Sequence, residues 1–216
     1  MDNTVQNNGN RSLLKTRLTS AVCIIMIMFI VFDVSFSQSQ MNMPVEFYKE
    51  EISMTINNGD FTISGIYYFR NNTEMDKPMP IVFPFYIDDS THYPHEITAF
   101  ALNGEEKIKL DYQENKERGS IRIGIPMKPK EITVWRLEYT QKIDKPQATY
   151  ILKSTEAWGR PLGEALYKID IPCSIDVDYI WADVDSVTAN NNRETLWIHK
   201  TEYMPFKDMT IKWKDK

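Results

Sequence analysis

The sequence predicts an all-β fold, an antiparallel β-sandwich of about ten strands in a single domain, and three observations carry that expectation. Apolar residues recur at every second position in many short runs, which is the period of a strand with one face in a core. No stretch after residue 37 shows the 3.6-residue period of a helix. β-branched and aromatic residues are frequent, and Asn-Gly, Gly and Pro punctuate the runs at short intervals. A closed barrel would satisfy the same pattern and stays open at this stage.

The organising stretch is residues 60–87. Phe61, Ile63, Gly65, Tyr67 and Phe69 share one parity, while Thr62, Ser64, Tyr68 and Arg70 take most of the other. A polar connector leads to a second run in which Ile81, Phe83, Phe85 and Ile87 share a face. Pro84 cannot donate a ladder hydrogen bond, so this run is expected at a sheet edge or at a bulge. Upstream, Ile52, Met54 and Ile56 alternate with Ser53 and Thr55, and Asn58-Gly59 supplies the positive φ of a tight hairpin. A second hairpin is expected at Asn103-Gly104, between residues 97–102 and a strand over 107–112. Residues 113–119 (QENKERG) hold no apolar side chain and read as an exposed loop.

Ile121, Ile123 and Ile125 then alternate strictly, and Trp135, Leu137 and Tyr139 oppose Val134, Arg136 and Glu138 on a long strand. Residues 149–152 form a short apolar strand before a loop at 154–163. Ala165, Tyr167, Ile169 and Ile171 resume the alternation, and Ile175, Val177, Tyr179 and Trp181 are expected to share an inner face opposite Asp176 and Asp178. Leu196 and Ile198 lie opposite Trp197 and His199, and Met209, Ile211 and Trp213 close the chain.

Residues 1–37 read as a signal segment and residues 38–216 as the folded domain. Arg11, Lys15 and Arg17 precede a 12-residue apolar run over 21–32, and Ser35 and Ser37 place small residues at a cleavage site. The run is short of the roughly 20 residues that cross a bilayer. A cleaved export signal is expected, with an uncleaved anchor as the alternative; the membrane would be touched only in the second case. The location implied is secreted or periplasmic. Past Ser37 the chain carries 22 basic residues against 28 acidic ones, and no polycationic patch that would suit nucleic acid. Cys173 is then the only cysteine, so no intrachain disulfide is expected and the thiol reads as structural.

Two stretches carry a resemblance. The order of strand, Asn-Gly turn, strand ending in Tyr68-Phe69-Arg70-Asn71-Asn72, then Val82-Phe83-Pro84-Phe85, resembles the opening of secreted bacterial β-sandwich families of unknown function. It is also loosely similar to the inter-alpha-trypsin inhibitor N-terminal domain. Residues 150–163, with Trp158 near the Gly159-Arg160-Pro161 turn, resemble a later segment of the bacterial families. The resemblance implies an extracytoplasmic domain for contact or scaffolding and supplies no catalytic residues.

Two places could carry chemistry. The loop over residues 88–96 gathers Asp88, Asp89, His92, His95 and Glu96, the ligand types of a divalent metal and the basis for a metal-dependent hydrolase; the other reading is a solvated loop capping a strand. Trp158 with Arg160 could present an aromatic platform to a glycan or a protein partner; alternatively the indole plugs the end of the core. There is no Gly-X-Ser-X-Gly elbow, phosphate-binding glycine loop or His-Glu-X-X-His motif. The sequence therefore points to a non-enzymatic binding or surface-assembly module with no cofactor, a carbohydrate-binding module or a metal-dependent hydrolase being the alternatives.

Overall fold

The computed structural model describes residues 44–76 and 78–215. The expected signal segment, with Cys23 and the Ser37 site, lies outside them. Met43–Lys216 cluster as one compact unit. Among the described residues there are fourteen strands: β1 (Val45–Asn57), β2 (Asp60–Asn71), β3 (Met79–Pro84), β4 (His95–Asn103), β5 (Glu106–Lys109), β6 (Tyr112–Asn115), β7 (Ser120–Ile125), β8 (Ile132–Lys142), β9 (Gln147–Tyr150), β10 (Leu162–Pro172), β11 (Ile175–Ile180), β12 (Ser186–Asn190), β13 (Arg193–Tyr203) and β14 (Met209–Asp215). One 3-10 segment, Lys153–Trp158, interrupts them.

Eight strands make one sheet in the order β12-β13-β10-β1-β2-β8-β4-β5, and two three-stranded sheets run β11-β14-β9 and β3-β7-β6. Both small sheets lie against the same face of the large one. From β3, Phe83 packs on Tyr67, Trp135 and Tyr139, and the hydroxyl of Tyr150 on β9 meets that of Tyr67 at 2.9 Å. The large sheet ends in two separate edge strands, β12 and β5, so it does not close into a barrel.

Alternation places the core where the sequence puts it. Phe61, Ile63, Tyr67 and Phe69 of β2, Trp135, Leu137 and Tyr139 of β8, and Ile121, Ile123 and Ile125 of β7 are all buried. Asn57 pairs with Asp60, and Asn58 and Gly59 both take positive φ, the two-residue hairpin expected there. The Pro84 strand β3 is an edge strand of its sheet, where the missing N–H costs no ladder bond.

Three expectations need correction. Pairing is antiparallel except between β1 and β10, which run parallel. About a hundred residues of other structure separate the two, so no short turn forces them to run antiparallel. The strand expected over 107–112 breaks at Leu110: β5 stays with the large sheet while β6 joins β7 in a small one. Residues 113–115, read as loop, belong to β6; their polar side chains and the charge of Glu114 fit an exposed edge strand, which they protect from pairing with another chain. The hairpin β12–β13 was not anticipated. Its turn is Asn191-Asn192, both with positive φ, which asparagine tolerates better than other non-glycine residues.

Candidate functional site

Two features stand apart from an ordinary layered core. The first is internal. A bulge between Phe47 and Lys49 shifts the parity of β1, so Phe47 and the later Ile52, Met54 and Ile56 all face inward. Glu50 falls in the inward register with them and is 3% exposed. Its Oε1 accepts the Tyr167 hydroxyl at 2.6 Å, and among the described residues no cation pairs with it. Desolvation raises its pKa to about 7, with the Tyr167 hydrogen bond pulling the other way. Tyr67, Tyr150 and Tyr167 are pushed well above the usual phenol range, first by burial. Tyr203 is raised to about 12 by burial and then by Glu50, and its buried hydroxyl has no partner among the described residues. At this burial the Glu50 carboxyl is closed off from the surface.

The second feature is an open groove of about 450 Å³ on the outer face of the β11-β14-β9 sheet. Alternation in β14 turns Met209 and Ile211 inward, leaving Thr210 and Lys212 outside. Thr149 of β9 lies beside Thr210, their hydroxyls 3.1 Å apart, and the pair forms the floor. A bulge between Val177 and Tyr179 lets Val177 and Ile180 both pack on the core, and sets Tyr179 outside opposite Lys212. Tyr179 is 44% exposed, which corrects the expectation that it faces inward with Val177. Trp181 is half-buried at the same end, and Phe206, 67% exposed, meets it edge to face at 5.3 Å and 89°. Tyr86, Lys153, Lys207 and Asp208 complete the wall.

The groove is held in shape by local bonds. Asp208 Oδ1 accepts the backbone N–H groups of Leu152 and Lys153, both at 3.0 Å, fixing the 3-10 segment against the start of β14. The backbone N–H of Trp181 donates to the Thr210 carbonyl at 3.0 Å, which ties the chain after β11 to β14. The Tyr86 hydroxyl donates to Asp88 at 3.2 Å; burial and then this carboxylate raise the phenol above its usual range. Such a surface can hold a ligand by ring contact, hydroxyl hydrogen bonds and ammonium charge.

Of the residues named from sequence, Trp158 lies at the end of the 3-10 segment, half-buried, its ring edge-on to Phe47 at 5.9 Å and Phe69 at 5.0 Å. It caps the core. Arg160 is 3.7 Å from Glu46. In the 88–96 loop, Asp88 Oδ1 accepts the Ser90 N–H at 2.8 Å and its hydroxyl at 3.0 Å, and the first of these holds the carboxyl below the usual carboxylate range. His92 Nε2 is 2.6 Å from Asp144 Oδ2. Asp89 is exposed, and His95 and Glu96 start β4 at a bulge, also exposed. The structure does not bring these five together: among the described residues no group of three or more His, Cys, Asp or Glu could hold a metal ion.

The groove residues were not assembled from sequence because they come from four separated segments. A signal existed for one feature only: Glu50 shares the even parity of Ile52, Met54 and Ile56.

No family model matches the chain, and no curated protein does. Among solved structures it is similar to a proposed nutrient binding protein of Legionella pneumophila, with a TM-score of 0.58 and 10% identity over 79% of this chain and 67% of that one. It is also similar to an M1 zinc metallopeptidase of Deinococcus radiodurans, with a TM-score of 0.50 and 10% identity over 79% of this chain. That match spans only 43% of the metallopeptidase. At such identities the likeness is one of fold. The sequence does not contain His-Glu-X-X-His; His95-Glu96 leads to Ala99 on a strand.

Proposed function

We propose that the chain is an exported, non-enzymatic β-sandwich, of the secreted bacterial kind its sequence resembles, whose task is to bind a ligand on the outer face of the β11-β14-β9 sheet. The observation that carries this reading is the exposed Phe206 ring held beside Trp181 over a floor of paired threonine hydroxyls. Large exposed rings at a concave site are the commonest anchors of a binding surface, because they offer wide contact at small entropy cost. The proposed nutrient-binding role of the Legionella protein is compatible with such a task.

The test uses residues 38–216, purified and screened against glycan and peptide arrays beside a Trp181→Ala/Phe206→Ala variant. Binding that the variant loses, with its circular dichroism unchanged, supports the groove. Binding that survives both substitutions removes it. Export is checked separately: N-terminal sequencing of the protein recovered outside the cytoplasm should begin at Gln38.

A further inference from the structure

We infer that the groove takes an anionic polysaccharide, its acid groups being carboxylates or sulfates; the inference rests on the groove being the binding surface. Three kinds of group meet there, each suited to one part of such a chain. Lys153, Lys207 and Lys212 line the groove, and among the described residues no carboxylate pairs with any of them. Several lysines elsewhere are engaged, Lys49 with Glu164, Lys142 with Asp60 and Lys214 with Asp178, while among the described residues Lys107, Lys109 and Lys145 stand unpaired but scattered, in none of the groove's walls. The chain as a whole is acidic, at −5, whereas the groove's own residues carry three ammonium groups against one carboxylate and are net positive. The one carboxylate among the groove's residues, Asp208, is turned toward the backbone N–H groups of Leu152 and Lys153.

The aromatic residues suit sugar rings. Phe206 and Tyr179 expose apolar ring surface on which the C–H face of a pyranose can lie, and Trp181 holds Phe206 from the side. The Thr210 hydroxyl, backed by the buried Thr149 hydroxyl, can donate and accept, as sugar hydroxyls require. An extended peptide is less well served. Peptides that join a sheet pair with a free strand edge, whereas the groove crosses β14, whose two sides are already bonded to β11 and β9.

The experiment measures binding of residues 38–216 by affinity electrophoresis and calorimetry at low and high salt. The probes are polygalacturonate, whose acids are carboxylates, carrageenan, whose acids are sulfates, a neutral β-glucan, and poly-glutamate. Binding to one or both anionic polysaccharides is expected, with the arm that binds naming the acid. Affinity should fall at least about tenfold in Lys153→Ala/Lys207→Ala/Lys212→Ala and should weaken with salt. It should also fall at least about tenfold in Trp181→Ala, a loss that added salt does not mimic. Neutral glucan bound equally well by the triple lysine variant would overturn the anionic class while leaving the groove as a binding surface. Poly-glutamate bound as tightly as polygalacturonate would reduce the site to a charge patch and overturn the saccharide. No binding to any of the four overturns the inference outright; binding unaffected by both the lysine and the Trp181 substitutions overturns the groove as well.

Discussion

Replacing Glu50 with Gln separates the cost of a buried acid from the fold around it. In an open chain this carboxyl titrates near 4.5, whereas burial holds it to about 7 in the folded protein. Between those values the folded state keeps a proton that the unfolded state has released, so stability falls as pH rises. The contribution is fully present below pH 4.5 and is lost as pH passes 7. Each pH unit is worth about 1.4 kcal/mol, so the full window amounts to about 3 kcal/mol. Glutamine keeps the volume and the acceptor for the Tyr167 hydroxyl. Its amide also brings a donor close to Tyr203, whose hydroxyl is unpartnered and feels Glu50 electrostatically. Urea unfolding, followed by tryptophan fluorescence, should therefore give equal stabilities for the two proteins near pH 4, and a variant more stable by about 3 kcal/mol at pH 8. Comparing the two at each pH cancels the titration of every other group. A variant that is less stable by the same amount at all pH values would refute the reasoning, because geometry rather than charge would then decide.

Three further substitutions test the packing. At Gly65 an added Cβ would lie 2.2 Å from the Tyr67 hydroxyl oxygen, so Gly65→Ala must swing that ring and break its bond to Tyr150. A loss of about 2 kcal/mol is expected by urea unfolding, and an unchanged midpoint would contradict the ring's position. Trp158→Ala should also cost about 2 kcal/mol by removing the edge contacts to Phe47 and Phe69, with groove binding unchanged; lost binding at constant stability would restore the platform reading. Arg193 donates to the Asp170 carboxylate and to the carbonyls of Ile56 and Asp170, fastening the start of β13 to β10 and the end of β1. Arg193→Ala should cost about 2 kcal/mol and speed amide exchange in the β12–β13 hairpin, with only partial rescue by Lys.

The layers were legible wherever one face of a strand is apolar throughout. Phe61 to Phe69, Ile121 to Ile125 and Trp135 to Tyr139 each announce their inner face, because burial acts on every second residue. Strands with no inner face left no such trace. All of β12 is exposed, and β6 carries only Tyr112 toward the core, so composition read them as loops or passed over them. Partner choice was equally silent: nothing in the alternation of β1 or β10 says that they lie side by side and parallel. Trp158 was open to either reading, platform or plug, because it lies on a loop outside any alternating run. The neighbours it covers, Phe47 and Phe69, arrive from strands about ninety residues or more upstream.

Both polar features lie on strands that carry a bulge, where the apolar residues change parity along the chain. A strand whose apolar residues change parity midway can bury all of them only by inserting an extra residue. In β1 that residue separates Phe47 from Ile52, Met54 and Ile56. Glu50 comes inward with Ile52, Met54 and Ile56, whose register it shares; those three side chains, buried at about 2 kcal/mol each, outweigh the roughly 3 kcal/mol lost by enclosing Glu50 at high pH. In β11 the register identifies Asp178 as the insertion, since Val177 faces Trp213 and Tyr179 faces Lys212 with nothing opposite the aspartate. Deleting Asp178 would then leave Val177 inside, Tyr179 outside and Ile180 inside as a regular strand. Its exposed ion pair with Lys214 is worth at most about 1 kcal/mol, so the deletion should be tolerated with groove binding intact. Deleting Val177 instead leaves the same chain length but removes a core side chain, and should cost about 2 kcal/mol or more. If the two deletions proved equally damaging in urea unfolding, the bulge would not be what turns Tyr179 into the groove.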